Sequence, residues 1–206
     1  MTALEIPRFG ELLSPFISQV PDGTRPRFLA LLERGAANRY RVWAEQLPAH
    51  AIVLLECAES EDEIANRIEG AFALDESLRD ELLAPLPQAT QTYYDAFAPY
   101  DIWDQLRIQA NAERQGAHAW RSIAAHHPDA YVVEVLHSCS ALEELSADAL
   151  DALIAAHAPS HCSRPRILLY AFEATLSYAS IRDLIDVVHV WRDVHDAGRL
   201  SRQVRN

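Results

Sequence analysis

Two stretches, Glu33-Arg34-Gly35-Ala36-Ala37-Asn38-Arg39-Tyr40-Arg41 and Glu113-Arg114-Gln115-Gly116-Ala117-His118-Ala119-Trp120-Arg121, share the pattern Glu-Arg-x-small-Ala-x-x-aromatic-Arg. A second pair follows in the same order, Leu54-x-x-Cys57-x-x-x-Glu61 and Leu136-x-x-Cys139-x-x-x-Glu143. The offsets are 80 residues for the first pair and 82 for the second. Two matches in one order at nearly one offset mark an internal duplication. Each stretch lies in a segment whose apolar residues recur at three- and four-residue spacing, so the duplicated unit is a helical hairpin and the fold class is all-α.

Working outward, Thr24 is the predicted N-cap of a helix that runs to about Leu47, where Pro48 follows. The spacing predicts further long helices over Ala51–Phe72, Tyr100–Ala125 and Ala130–Ala156, the third stopped by His126-His127-Pro128. Shorter helices are expected at Asp75–Leu83 and at 88–98, with Pro85 and Pro87 breaking the first of them. The leading two dozen residues read as an irregular or short helical lead-in ending in the turn Pro21-Asp22-Gly23. A polar linker, Pro159 to Pro165, precedes a C-terminal helix pair near 166–179 and 180–197. The whole, 1–206, reads as one domain with a four-helix core over 24–157 and additional helices over 166–197.

Composition agrees. The 206 residues are 50% hydrophobic with only 6 glycines, which suits helices better than a β-rich chain. A net charge of −12 argues against nucleic acid as a partner, because phosphate binding wants a basic face. Every basic side chain is arginine. No apolar run approaches the roughly 18 to 20 residues a membrane span needs. The opening MTALEIPRFGELL lacks the basic-then-apolar pattern of an export signal. Three cysteines, Cys57, Cys139 and Cys162, have no metal-finger spacing and read as reduced thiols, so a cytoplasmic location is expected.

On a helical wheel each long helix places one carboxylate where an apolar residue is expected. Glu33 flanks the stripe Leu29, Leu32, Ala36, Tyr40, Trp43 and Leu47. Glu61 lies among Leu54, Cys57, Ile64, Ala65 and Ile68; Glu113 lies among Leu106, Ala110, Ala117 and Trp120; Glu143 lies with Cys139, Leu142 and Leu150. Glutamate is almost never buried without a partner. Four facing one core cost several kcal/mol per unpaired ion unless protons, arginines, water or a cation relieve them. No arginine falls clearly on an inner face, although Arg34 and Arg114 are sequence neighbours of two of the four. Carboxylates from four facing helices are how bundle proteins assemble two-metal sites.

This constellation resembles the ferritin-like superfamily, and Glu33-x-x-Ala36-x-x-Arg39-Tyr40-x-x-Trp43-Ala44 resembles the first helix of its rubrerythrin-type members. The resemblance covers about residues 25–157. It implies an antiparallel four-helix bundle made from a duplicated hairpin, with Glu33 and Glu113 as terminal metal ligands and Glu61 and Glu143 as bridging ligands. It also implies di-iron or di-manganese type chemistry, as in an oxidoreductase. In the family each bridging glutamate opens a Glu-x-x-His motif; here Ile64 and Ser146 stand where the histidines would be. The donors left are all oxygen, which favours harder ions such as manganese or magnesium over iron.

Other features have blander readings. Glu134-Val135-Leu136-His137 is a literal Glu-x-x-His, but it points away from the face of Glu143 and reads as a solvated pair. Cys57 and Cys139 read as small core residues, and Tyr40 and Trp120 as core aromatics. His189 and His195, six apart, do not share a face. Two alternatives to a metal-binding oxidoreductase stay open. One is a metal-free ferritin-like scaffold acting as a binding or protein-interaction module. The other is a pocket between helices whose carboxylates hold a cationic or polyhydroxy small molecule. A small-molecule ligand and a homodimer are the partners these readings allow; nucleic acid and membrane are not.

Overall fold

The turn Pro21-Asp22-Gly23 ends a short helix and Thr24 begins a long one in the computed structural model of the chain, which describes residues 4–157. The short helix is α1, Phe9–Ile17. Thr24 stands at the N-cap position of α2, Arg25–Gln46, but does not cap it: its hydroxyl donates to the carbonyl of Pro21 (2.9 Å), and Pro26 sits in the first turn, where a missing N–H costs nothing. A 3-10 turn at Pro48–His50 reverses the chain into α3, Ala51–Ala71. Then come a 3-10 turn at Glu76–Leu78, α4 (Arg79–Leu83) and α5 (Leu86–Asp95). Asp101 opens α6, Ile102–Ala124, by accepting from the backbone N–H of Trp103 and Asp104. Asp129 accepts likewise from Tyr131 and Val132 at the start of α7, Ala130–His157.

All elements among the described residues are helical, and no strand occurs. The four long helices stand within a residue or two of their expected ends. The fifth helix differs: it starts at Leu86, and Pro87 sits inside its first turn instead of breaking the chain there. The first turn of a helix donates no backbone hydrogen bond, so a proline is tolerated. The C-terminal helices expected at 166–179 and 180–197, with Cys162, His189 and His195, lie outside the described residues. No helix among those described is long and apolar enough to cross a membrane.

Packing pairs α2 with α3 and α6 with α7, and the two hairpins meet where α3 lies against α7. The same ion pairs lace both hairpins. Arg34 reaches Asp62 and Glu69 of α3, and its repeat mate Arg114 reaches Asp148 and Asp151 of α7. Arg41 pairs with Asp62, and Arg121 with Glu144. Glu69 and Asp151 are 82 residues apart, as are Asp62 and Glu144. Such exposed pairs each contribute about 0.2–1 kcal/mol. They therefore report the duplication more than they stabilise it. The stability resides in the core, where Tyr40, Trp43, Leu54, Ile64, Ile68, Leu106, Trp120, Leu136 and Leu150 are all at most 1% exposed. Each such aliphatic or aromatic side chain is worth roughly 1.5–3 kcal/mol on burial.

Along the other seam the helices stand apart. Few contacts join α2 to α6, and α1 and α5 lie beside that gap. Gln115 of α6 anchors α1 by accepting from the N–H of Phe9 (2.9 Å) and donating to the carbonyl of Pro7 (2.9 Å). α5 is anchored on α2 by the Tyr94 hydroxyl, which donates to the carbonyl of Gly35 (3.0 Å). The Arg39 guanidinium also lies 4.2 Å from the ring centres of both Tyr94 and Phe97, a desolvated cation–π contact.

Candidate metal centre

All four repeat glutamates point into one region, but not equivalently. Glu61 of α3, Glu113 of α6 and Glu143 of α7 are 1–2% exposed, whereas Glu33 of α2 is half-buried. Carboxylate oxygens of Glu33, Glu61 and Glu143 lie within 4.8 Å of one another. Glu113 is not in that triplet, although Glu61 and Glu143 are both within hydrogen-bond reach of it. Its Oε1 is taken up by the Tyr40 hydroxyl (2.7 Å) and the Gln109 amide (2.5 Å). Gln109 is itself oriented by the Tyr93 hydroxyl, which donates to Gln109 Oε1 (2.7 Å). Glu143 Oε1 accepts from the Trp120 indole N–H (2.9 Å).

Burial and mutual repulsion raise the proton affinity of Glu33, Glu61 and Glu143. Desolvation, then the charge of Glu113, pushes Glu33 up to about 8. Desolvation likewise drives Glu61 and Glu143 well above the usual carboxylate range; Glu113 is the next largest cause for Glu61, and Glu33 for Glu143. No arginine among the described residues pairs with any of the four, because Arg34 and Arg114 are engaged on the outer faces of their hairpins. Two buried oxygens, Glu61 Oε1 and Glu113 Oε2, have no N–H or O–H donor from outside the cluster. Buried acceptors in this condition cost about 1–3 kcal/mol each, more when charged.

The backbone of α6 is cut away to admit one of these carboxylates. A Cβ placed on Gly116 would lie 2.6–2.8 Å from both oxygens and Cδ of Glu143. Gly116 is not a turn residue; it sits in the middle of a helix, where glycine costs about 0.5–1 kcal/mol relative to alanine. The Glu143 carboxylate occupies the space that an alanine methyl would fill.

The two positions that lack histidine have different environments. Ile64 is fully buried in an apolar cluster with Ala65, Ile68, Trp120, Leu136 and Cys139. Ser146 is also buried, beside Cys57. Both described cysteines are free and buried, and desolvation pushes each thiol up to about 12, so neither is available as a thiolate near neutral pH. Glu134 and His137 are both exposed, as their wheel position implies.

An open cleft of about 520 Å³ leads to the cluster between α2 and α6. Phe9, Leu13 and Ile17 of α1, Leu29 and Leu32 of α2, and Ala112 and Ala119 of α6 line its walls; Glu33, Glu113 and Glu143 are reached through it. The half-burial of Leu29 and Leu32 on the expected inner stripe of α2 has this cause: they face the cleft instead of a packed neighbour.

The sequence pattern located the carboxylates but missed the groups that orient them. Tyr40 and Trp120 are core aromatics as expected, and each also donates to a glutamate. Gln109, one turn before Glu113, was legible as a polar residue near an inner stripe. Gly116 was visible only as "small", since its reason is the carboxylate of a different helix. No known protein family, no curated protein and no solved structure matches the chain.

Proposed function

We propose that this protein is a ferritin-like, metal-binding bundle in which Glu33, Glu61 and Glu143 hold a hard divalent cation, manganese in preference to ferrous iron, with Glu113 as the adjoining carboxylate. The observation that carries this reading is the pair of buried, donorless oxygens, Glu61 Oε1 and Glu113 Oε2, inside a carboxylate group that no arginine among the described residues pairs with. Oxygen atoms clustered in this way, from glutamates on different helices, are the donor set that such ions take. A bound ion would supply the missing positive charge and, if redox-active, electron exchange with a molecule in the cleft, which is the basis for an oxidoreductase reading.

The protein's own residues have definable parts in this. Trp120 and Gln109 hold Glu143 and Glu113 by N–H donors that cannot be lost as protons near neutral pH, so those two carboxylates keep their orientation whether or not a cation is present. Tyr40, fully buried and with its hydroxyl proton held well above the usual phenol range by burial and by Glu113, stays a donor to Glu113. Glu33, at the cleft, is the ligand free to exchange a proton with solvent as a cation arrives.

A second reading is favoured by Ile64. Its side chain is packed in the apolar core at the place where the resemblance puts a nitrogen ligand, which suits a scaffold that has given up metal and become a binding module. Metal analysis of protein purified without chelator separates the two. The metal reading expects stoichiometric manganese or iron, a rise in Tm on adding either ion, and loss of both in a Glu61→Gln, Glu143→Gln double variant. Absence of bound metal together with an unchanged Tm leaves the scaffold reading.

A further inference from the structure

The cleft between α2 and α6 has two chemistries along its depth. Its walls are aliphatic: Leu13 and Ile17 come from α1, Leu29 and Leu32 from α2, and the small Ala112 and Ala119 from α6 leave the width open. Its far end is acidic, at Glu33, Glu113 and Glu143. Arg114 and His118 are the basic residues of the lining; Arg114 already pairs with Asp148 and Asp151, and His118 is exposed. At about 520 Å³ the space lies within the roughly 300–1,000 Å³ typical of small-molecule sites. Apolar side chains left facing an open cleft instead of a packed core are unfavourable in water, and a ligand that covers them removes that cost.

We propose that the α2–α6 cleft binds an elongated apolar molecule with one uncharged polar head, the chain lying along Leu13, Ile17, Leu29 and Leu32 and the head directed toward the glutamates. An anionic head would be desolvated at a floor of carboxyl groups that offers it no cation in the metal-free chain. A cationic head competes with the ion for the same carboxylates. A neutral oxygen head, such as an alcohol or carbonyl, meets neither obstacle. The assignment of the head rests on the metal reading above; the assignment of the chain rests on the walls alone.

Calorimetric titration of the full chain with 1-decanol tests this, using metal-free and manganese-loaded protein whose metal content is measured separately. Saturable one-to-one binding is expected in both forms. Leu32→Arg, which puts a charge in the wall, is expected to weaken it at least about tenfold, a difference of about 1.4 kcal/mol. Ala119→Phe, which narrows the cleft without adding charge, is expected to weaken it too and guards against misfolding of the first variant. Neither change is expected to alter manganese content. Sodium decanoate is expected to bind at least about tenfold more weakly than 1-decanol to the metal-free chain. No saturable binding in either form, or binding that both wall variants leave unchanged, would overturn the proposal whatever the metal content. Decylammonium binding the manganese-loaded chain more tightly than 1-decanol would overturn the neutral head. Loss of manganese with decanol binding intact would instead count against the metal reading and leave the chain assignment standing.

Discussion

The two hairpins are laced by equivalent ion pairs, yet they treat their glutamates differently. In the α6–α7 hairpin each carboxylate is held by donors: Glu113 by Tyr40 and Gln109, Glu143 by Trp120. In the α2–α3 hairpin neither has a donor from outside the cluster; Glu33 opens on the cleft and Glu61 has a donorless oxygen. Tyr40 belongs to the first hairpin but serves the second, by reaching across to Glu113. The duplicated sequence therefore yields one preorganised pair of acceptors and one adaptable pair. Orientation is already fixed where donors are present, and charge is left uncompensated where they are not.

The largest expected effect sets one adaptable glutamate against one held glutamate. In metal-free protein at pH 8, Glu61→Leu is expected to raise stability to urea by about 1–4 kcal/mol, because a poorly compensated buried carboxyl gives way to an apolar side chain. Glu143→Leu is expected to lower it by about 1–3 kcal/mol, because the Trp120 N–H is then buried without an acceptor. Equal gains from both would erase the distinction between the hairpins.

A smaller contrast is built into two glycines. Gly116→Ala drives a methyl into the Glu143 carboxylate and is expected to cost about 1–3 kcal/mol, as overpacking does. Gly35→Ala meets nothing within 4 Å and is expected to add about 0.5–1 kcal/mol, the usual gain of alanine in a helix. Thermal unfolding of the two variants side by side measures both. If Gly116→Ala proves neutral, the carboxylate is not confined there.

A further contrast is in pH dependence. Because the folded-state affinity of Glu33 for its proton lies above that of the unfolded chain, the native state binds more protons between about 4.5 and about 8. Stability of the metal-free protein therefore falls as pH rises through that window, and the stabilising share is fully present below it. Glu33→Gln is expected to flatten part of that slope. Glu61→Gln should flatten it too, and if neither variant does so, the cluster is not proton-loaded.

Much of the skeleton was legible from residue pattern alone. Helical periodicity and the offsets of 80 and 82 residues gave the hairpins, and the capping residue Asp101 lies in local sequence, whereas Thr24, the expected cap of α2, turns its hydroxyl to Pro21 instead. The inward aim of Glu61, Glu113 and Glu143 also follows from helix geometry, since a wheel fixes which side chains share a face. The start of α5 was not legible, because proline in a first turn and proline after a helix look alike in sequence.

What the amino-acid sequence by itself determined here is therefore everything of short range: four long helices, their duplication, and one carboxylate on the inner stripe of each. Only the tertiary structure decided how those carboxylates differ. Which seam closes, α3 on α7, and which stays open, α2 beside α6, depends on packing between segments far apart in the chain. So does the provision of donors: Tyr40 is 73 residues from Glu113, and Gly116 makes room for a carboxylate on another helix. A helical wheel carries the direction of a side chain but not the identity of what faces it, and at these four glutamates it is the facing groups that set charge, orientation and access.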